Sequence, residues 1–223
     1  MNNVFEFILN DEEIIDRYKK IHELEDESHT WTYHDLETHV SKVINDMEII
    51  FMLLKYDEEV IEEAKIAALL HDTGCLDGRE NHDEKSEAFA IDYFKRKNIK
   101  LNNEGMIFDA IRNHSNGFDS DNVMTLAIVL ADKLDMRRDR MAKWGYDQVG
   151  ARQYQYITNI DITKEEDRFI INFTINEGID LKELEEFKYT EKFFKAMKAF
   201  CKKVELIPEV LINNERWNLF YER

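Results

Sequence analysis

Apolar residues recur at steps of three and four along most of the first 140 positions, the spacing of one buried helical face. Leu36, Val40, Val43, Met47, Ile50, Phe51 and Leu54 mark one long amphipathic helix. Residues 58–71 predict a second, whose end, in the run KIAALL, is apolar all round and is therefore expected to be buried. A polar break, DTGCLDGREN, separates it from a third helix at about 82–97. Shorter helical patterns cover about 103–114 and about 122–142, with the loop NGFDSDN between them.

The period changes after about residue 150. Tyr154, Tyr156, Thr158, Ile160 and Ile162 alternate with polar or smaller positions, as do Phe169, Ile171, Phe173 and Ile175. With the polar connection TKEED between them, they predict a β-hairpin. Helical spacing resumes through Leu181, Leu184, Phe187, Phe194, Met197, Cys201 and Val204, and the tail leaves room for a short strand. The expected organisation is a mainly α protein: a helical unit at 1–150 and a small α+β appendage (hairpin plus helix) at 151–223. Without a Gly- or Pro-rich linker at the boundary, no flexible hinge is expected.

Composition sharpens this picture in three ways. One proline and seven glycines leave little material for tight turns, which disfavours an all-β fold. A net charge of −17 makes the general surface a poor partner for nucleic acid polymers or anionic membranes, while a small anion remains acceptable at a locally cationic site. Two cysteines, an acidic start without an apolar leader and the absence of an 18-residue apolar run point to a cytoplasmic protein.

Six residues then carry chemical interest through their positions: His39, His71, Asp72, His82, His114 and Asp132. His39 shares a face with Leu36 and Val43, and His114 follows Ile107, Ala110 and Ile111. His71 and Asp72 close the apolar run, and Asp132 lies with Ile128, Val129 and Met136. A lone inward histidine is more often a satisfied core residue than a ligand, and a buried aspartate caps helices or pairs with a base as readily as it binds metal. Their joint occurrence changes the weighing. An unpaired buried carboxylate costs several kcal/mol, and inward polar groups from several helices can meet in a bundle interior, where metal sites are commonly built.

The order H…HD…H…H…D, in the contexts ETHVSKV, AALLHDTG, NHDEKSEA, IRNHSNG and LADKLD, resembles the HD-domain superfamily of metal-dependent phosphohydrolases over about residues 30–143. The resemblance implies an HD-domain-like helical bundle. In it His39, His71, Asp72 and Asp132 hold one divalent ion, and Asp72 bridges to a second completed by His82 and His114. Mixed nitrogen and oxygen ligands suit Fe, Mn, Zn, Ni or Co. The implied activity is hydrolysis of a small phosphate ester, a nucleotide or related phosphomono- or diester, by a metal-bound hydroxide. Asp72 positions the nucleophile, and Lys133 or His34 protonates the leaving group.

Several members carry a lysine three residues after the aspartate of the doublet, whereas Cys75 stands here. The phosphate contacts must come from elsewhere, with His34, Arg79, Lys85, Arg137, Lys133 and Arg138 as candidates. Two other classes share the ligand order, a di-iron oxygenase and a non-catalytic metal-binding regulatory protein. The formation of a homo-oligomer is left open.

Overall fold

The computed structural model describes residues 3–222; residues 1, 2 and 223, which the two expected units include, lie outside the described residues. Two N-terminal helices, α1 (Val4–Leu9) and α2 (Glu12–Glu27), are started by Asn3 and Asp11, whose side chains accept from backbone N–H groups of the first turn. A π-turn at Leu36–Val40 runs straight into α3 (Ser41–Leu53), so the long amphipathic pattern is one rod with a widened first turn. Next come α4 (Glu58–Leu70), α5 (His82–Lys97), α6 (Glu104–Asn113) and α7 (Val123–Leu134).

Helix α4 runs against α3 and also meets α6 and α7. Residues 66–70 of α4 are wholly removed from solvent, as are Val43, Met47 and Ile50 of α3 and Ile128, Val129 and Leu130 of α7. An all-apolar helix end is stable only when neighbours cover every side, and this places the residues that follow Leu70 at the centre of the bundle.

Helix α7 stops at Leu134, well short of the residue 142 expected from periodicity. Two arginines draw the following segment aside. Arg137 reaches Asp46 on α3 through two contacts of 2.9 Å, and Arg140 donates to the carbonyls of Asp132 and Asp135 at 3.3 and 3.2 Å, capping the helix end from outside.

Beyond three short 3-10 turns, β1 (Ile157–Glu165) and β2 (Arg168–Ile175) form the antiparallel hairpin. Its turn is only Glu166–Asp167, with Glu166 at φ 52°, so most of the TKEED connection is strand. Tyr154 and Tyr156 belong to the turn Ala151–Tyr156 instead of the strand. The expected helix after residue 180 is broken at Phe187 into α8 (Leu181–Glu186) and α9 (Lys188–Lys203), because Phe187 takes extended backbone and sits against Gly150. Strand β3 (Ile207–Ile212) adds to β2 in parallel, β4 (Glu215–Arg216) follows through Asn213 and Asn214, both at positive φ, and α10 (Asn218–Glu222) ends the described chain. The result is a helical body with a small α+β appendage. Helix α9 lies along α7, and one hydrophobic core runs from Leu130 through Met197 to Phe200.

Candidate metal centre

Each ligand-type side chain sits where an element begins or ends, or on an inward helical face. His39 is held in the π-turn before α3, a widened turn of the kind that recurs at functional sites. His71 follows the buried end of α4, and Asp72 opens the 3-10 turn Thr73–Asp77. His82 is the first residue of α5, His114 follows the last residue of α6, and Asp132 is in the final turn of α7. Gly74 allows the doublet loop to approach α5: a Cβ there would lie 2.1 Å from the carbonyl oxygen of His82 and 2.5 Å from the nitrogen of Ser86.

The structure brings all six together. Asp72 lies at the middle, and its two oxygens face opposite sides. Oδ2 is 3.1 Å from His71 Nε2 and 3.4 Å from His39 Nε2, which is in turn 3.3 Å from Asp132 Oδ1. Oδ1 is 3.4 Å from both His82 Nε2 and His114 Nε2, and those two nitrogens are 3.0 Å apart. All are buried except His82, which is partly open to solvent.

The tautomers follow from the partners on the far side of each ring. His71 Nδ1 donates to the carbonyl of Ala68 at 2.7 Å, His114 Nδ1 to that of Ile111 at 2.7 Å, His82 Nδ1 to that of Arg79 at 3.0 Å, and His39 Nδ1 to Asp135 Oδ2 at 2.7 Å. Oxygen atoms of this kind only accept, so every neutral ring carries its proton on Nδ1 and turns the Nε2 lone pair towards Asp72.

Lone pairs on nitrogen and carboxylate oxygen repel unless a cation lies between them. Among the described residues, His39 Nε2, His71 Nε2 and Asp72 Oδ2 are buried with no hydrogen-bond partner. Buried polar atoms are otherwise satisfied almost without exception. Charge points the same way. Burial raises the pKa of Asp72, but His71 foremost, then His114 and His39, hold it well below the usual carboxylate range. Asp132 is held low against burial chiefly by Lys133, and Asp135 chiefly by His39. Burial and Arg140 lower the His39 pKa, yet Asp132, Asp135 and Asp72 outweigh them and lift it to about 10. Ionised carboxylates around a ring that would rather hold a proton than stay neutral form a site that calls for positive charge. The donor set, four imidazole nitrogens and two carboxylates, suits a divalent transition metal. His39, His71 and Asp72 lie within ligating reach of one another, as do Asp72, Cys75 and His82. Burial and Asp72 raise the Cys75 thiol, so it stays a weak S–H donor towards Asp72 Oδ1 at 3.7 Å.

The HD domain family model matches residues 36–137. This chain carries an HD domain. The domain is that of a superfamily of metal-dependent hydrolases that bind divalent ions, and the buried His/Asp cluster inside the matched segment fits such a site. No curated protein matches the chain at a significant level.

Next to the metal centre of the HD domain opens a cavity of about 350 Å3. Of the cationic candidates, Arg79 and Lys133 line it, and so does His34. His34 is uncharged at neutral pH, because burial and Arg79 lower its pKa to about 4. Its Nδ1 donates to Glu25 at 2.7 Å and its Nε2 accepts from Arg140 at 3.0 Å, which leaves no proton to give away and corrects the expectation that it serves as an acid.

Lys85 and Arg137 do not line the cavity. The Lys85 ammonium binds the carbonyls of Asp77 and Gly78, and Arg137 is spent on Asp46 and Asp135. Arg138 is exposed beside Asp139. Sequence reasoning overlooked Asp135, Arg140, Glu25 and the lining residues Trp31, Tyr189 and Lys192. Asp135 was discoverable, because it follows Asp132 by three residues, the spacing of one helical face, although it lies just beyond the end of α7. Nothing local singles out the others.

Proposed function

We propose that this protein is a phosphohydrolase that uses two divalent ions to cleave a small phosphate ester, a nucleotide or a related phosphomono- or diester. One observation carries the reading: the two oxygens of a single buried aspartate, Asp72, face two separate sets of histidine Nε2 atoms. His39, His71, Asp72 and Asp132 would hold one ion, and Asp72, His82 and His114 the other. Divalent ions so held would supply Lewis acidity, polarising phosphoryl oxygens and lowering the pKa of water towards about 7.

The chain's own residues supply the rest. In a protein of net charge −17, the cavity collects Arg79, Lys133, Arg140 and Lys192 against Asp72, Asp83, Asp132 and Asp135, so that divalent ions held there would tip it to the positive charge that an anionic substrate requires. Arg140, half-buried and braced by Asp132, Asp135 and His34, presents a fixed guanidinium to phosphate oxygens. Lys133 Nζ, paired with Asp132 at the cavity wall, is placed to give its proton to the leaving oxygen. Trp31 and Tyr189 enclose the organic part of the substrate.

Elemental analysis of the purified protein, paired with a phosphate-release screen over nucleotides and sugar phosphates, tests the reading. The expected result is about two transition-metal ions per chain and release of phosphate from at least one class. Asp72→Ala should abolish both metal and turnover. A folded Asp72→Ala protein that turns over at the normal rate would remove the mechanism.

A further inference from the structure

Helix α9 carries an anomaly of charge. The chain has 47 acidic residues against 30 basic ones, yet Lys188, Lys192, Lys195, Lys198 and Lys202 all lie on this one helix. Among the described residues none of the five has a carboxylate within salt-bridge distance, whereas Lys203 beside them is paired with Asp121. Steps of four and three residues between Lys188, Lys192 and Lys195 put those three on one face. Rings beneath hold several of them in place: Lys195 lies 4.4 Å over Phe118, Lys198 4.9 Å over Phe220, and Lys192 5.6 Å over Tyr189.

The five lysines, with Glu191 and Asp119 as the acidic residues among them, line a groove of about 720 Å3 between α9 and the loop that carries Asn116 and Phe118. Lys192 and Asn116 belong both to this groove and to the cavity at the metal centre, so the two spaces meet at those residues. Ala199 lines the groove between Lys195 and Lys202. With a helical rise of about 1.5 Å per residue, Lys192 and Lys202 are about 15 Å apart along the axis. Burial foremost, then the like charge of Lys133, lowers the pKa of Lys192. In the cavity Arg79 is already paired with Glu25, Lys133 with Asp132, and Arg140 with Asp132 and Asp135.

We propose that the substrate carries a second phosphate group beyond the one cleaved, and that the lysine groove of α9 receives it, with Lys192 at the junction. This rests on the phosphohydrolase reading and narrows it to small molecules with two or more phosphates. The lysines of the groove lie outside the segment matched by the HD domain, while Asn116 and Phe118 on its other wall lie inside it, so the appendage would supply the charge that selects the substrate and the helical body the chemistry.

The test compares adenosine 5′-monophosphate with adenosine 3′,5′-bisphosphate, by calorimetry for binding and by phosphate release for turnover, on the metal-loaded protein. The bisphosphate should bind about tenfold more tightly, the gain expected for one further charge-assisted phosphate site. The double variant Lys195→Gln/Lys198→Gln, altered only outside the cavity, should erase that preference and leave monophosphate binding within about twofold. Lys192→Gln should weaken both ligands, and Lys192→Arg should restore them.

Equal affinity of the wild type for the two ligands, or equal weakening of both by the double variant, would overturn the groove assignment while leaving the hydrolase reading intact. Tighter binding of a short oligothymidylate than of the bisphosphate would overturn it in favour of a nucleic acid strand. A metal-loaded wild type that neither binds nor cleaves any phosphate compound would bring down the hydrolase reading and this proposal with it.

Discussion

At the scale of single residues, the metal centre depends as much on what stands behind each ring as on the rings themselves. Three of the four histidines are oriented by backbone carbonyls, which no side-chain substitution removes. His39 alone relies on a carboxylate, Asp135, buried and 2.7 Å from its Nδ1. Asp135→Asn should keep the fold while costing about 10- to 100-fold in metal affinity. Titration against a competing chelator measures it, and an unchanged affinity would show that the pair does not orient the ring. The ligand-type residues themselves were legible in the sequence because an ionisable group inside an apolar run is conspicuous. Arg140 and Glu25 were not, because an arginine in MRRDRM and a glutamate in an acidic helix resemble ordinary surface charge until a fold encloses them.

At the scale of elements, the decisive contact is between the doublet loop and the start of α5. Gly74 lets the two backbones touch, and its N–H donates to Ser86 Oγ at 2.8 Å. Gly74→Ala would force α5 outwards and take His82 with it, while His39, His71 and Asp132 sit on other elements. The expected outcome is a fall from about two ions per chain to about one, together with a lower thermal midpoint, since strained backbone of this kind costs about 1–3 kcal/mol. Full loading of Gly74→Ala would mean that the loop accommodates the methyl without moving His82. The periodicity located α3 to α6 to within a residue or two, because α3, α5 and α6 bury one stripe against neighbours and the all-apolar end of α4 is bounded by polar breaks. It overran α7, whose apolar pattern continues past Leu134 while Arg137 and Arg140 turn the chain. It also merged α8 with α9, since the break at Phe187 is made by a contact with Gly150 that no local pattern encodes.

At the scale of the whole molecule, the appendage is tied to the helical body near residue 150. Glu183 of α8 accepts from the Gly150 N–H at 2.8 Å and from Arg152 Nε at 2.9 Å. Arg152 foremost, with Gln153 and Gly150, lowers the Glu183 pKa from 4.5 to about 2 against the opposing effect of burial. A depressed folded-state value means stability that is complete above the ordinary carboxyl pKa and is lost as the pH falls towards about 2. Glu183→Gln should therefore melt earlier than wild type at neutral pH, and the gap should close across the acid range. A gap that stays constant with pH would assign the loss to packing instead of charge. Among the described residues no helix is long and apolar enough to cross a membrane. What the sequence determined by itself was whatever depends on local spacing and residue type: the helical body, the hairpin, and a set of imidazoles and carboxylates at inward positions. Only the tertiary structure decided which oxygen of Asp72 faces which histidines, that Arg137 and Lys85 are engaged elsewhere, and that Lys192, far beyond Asp132 in the chain, borders the same cavity. The reason is physical: periodicity reports burial, whereas coordination and charge pairing depend on distances between segments that meet only after the chain has folded.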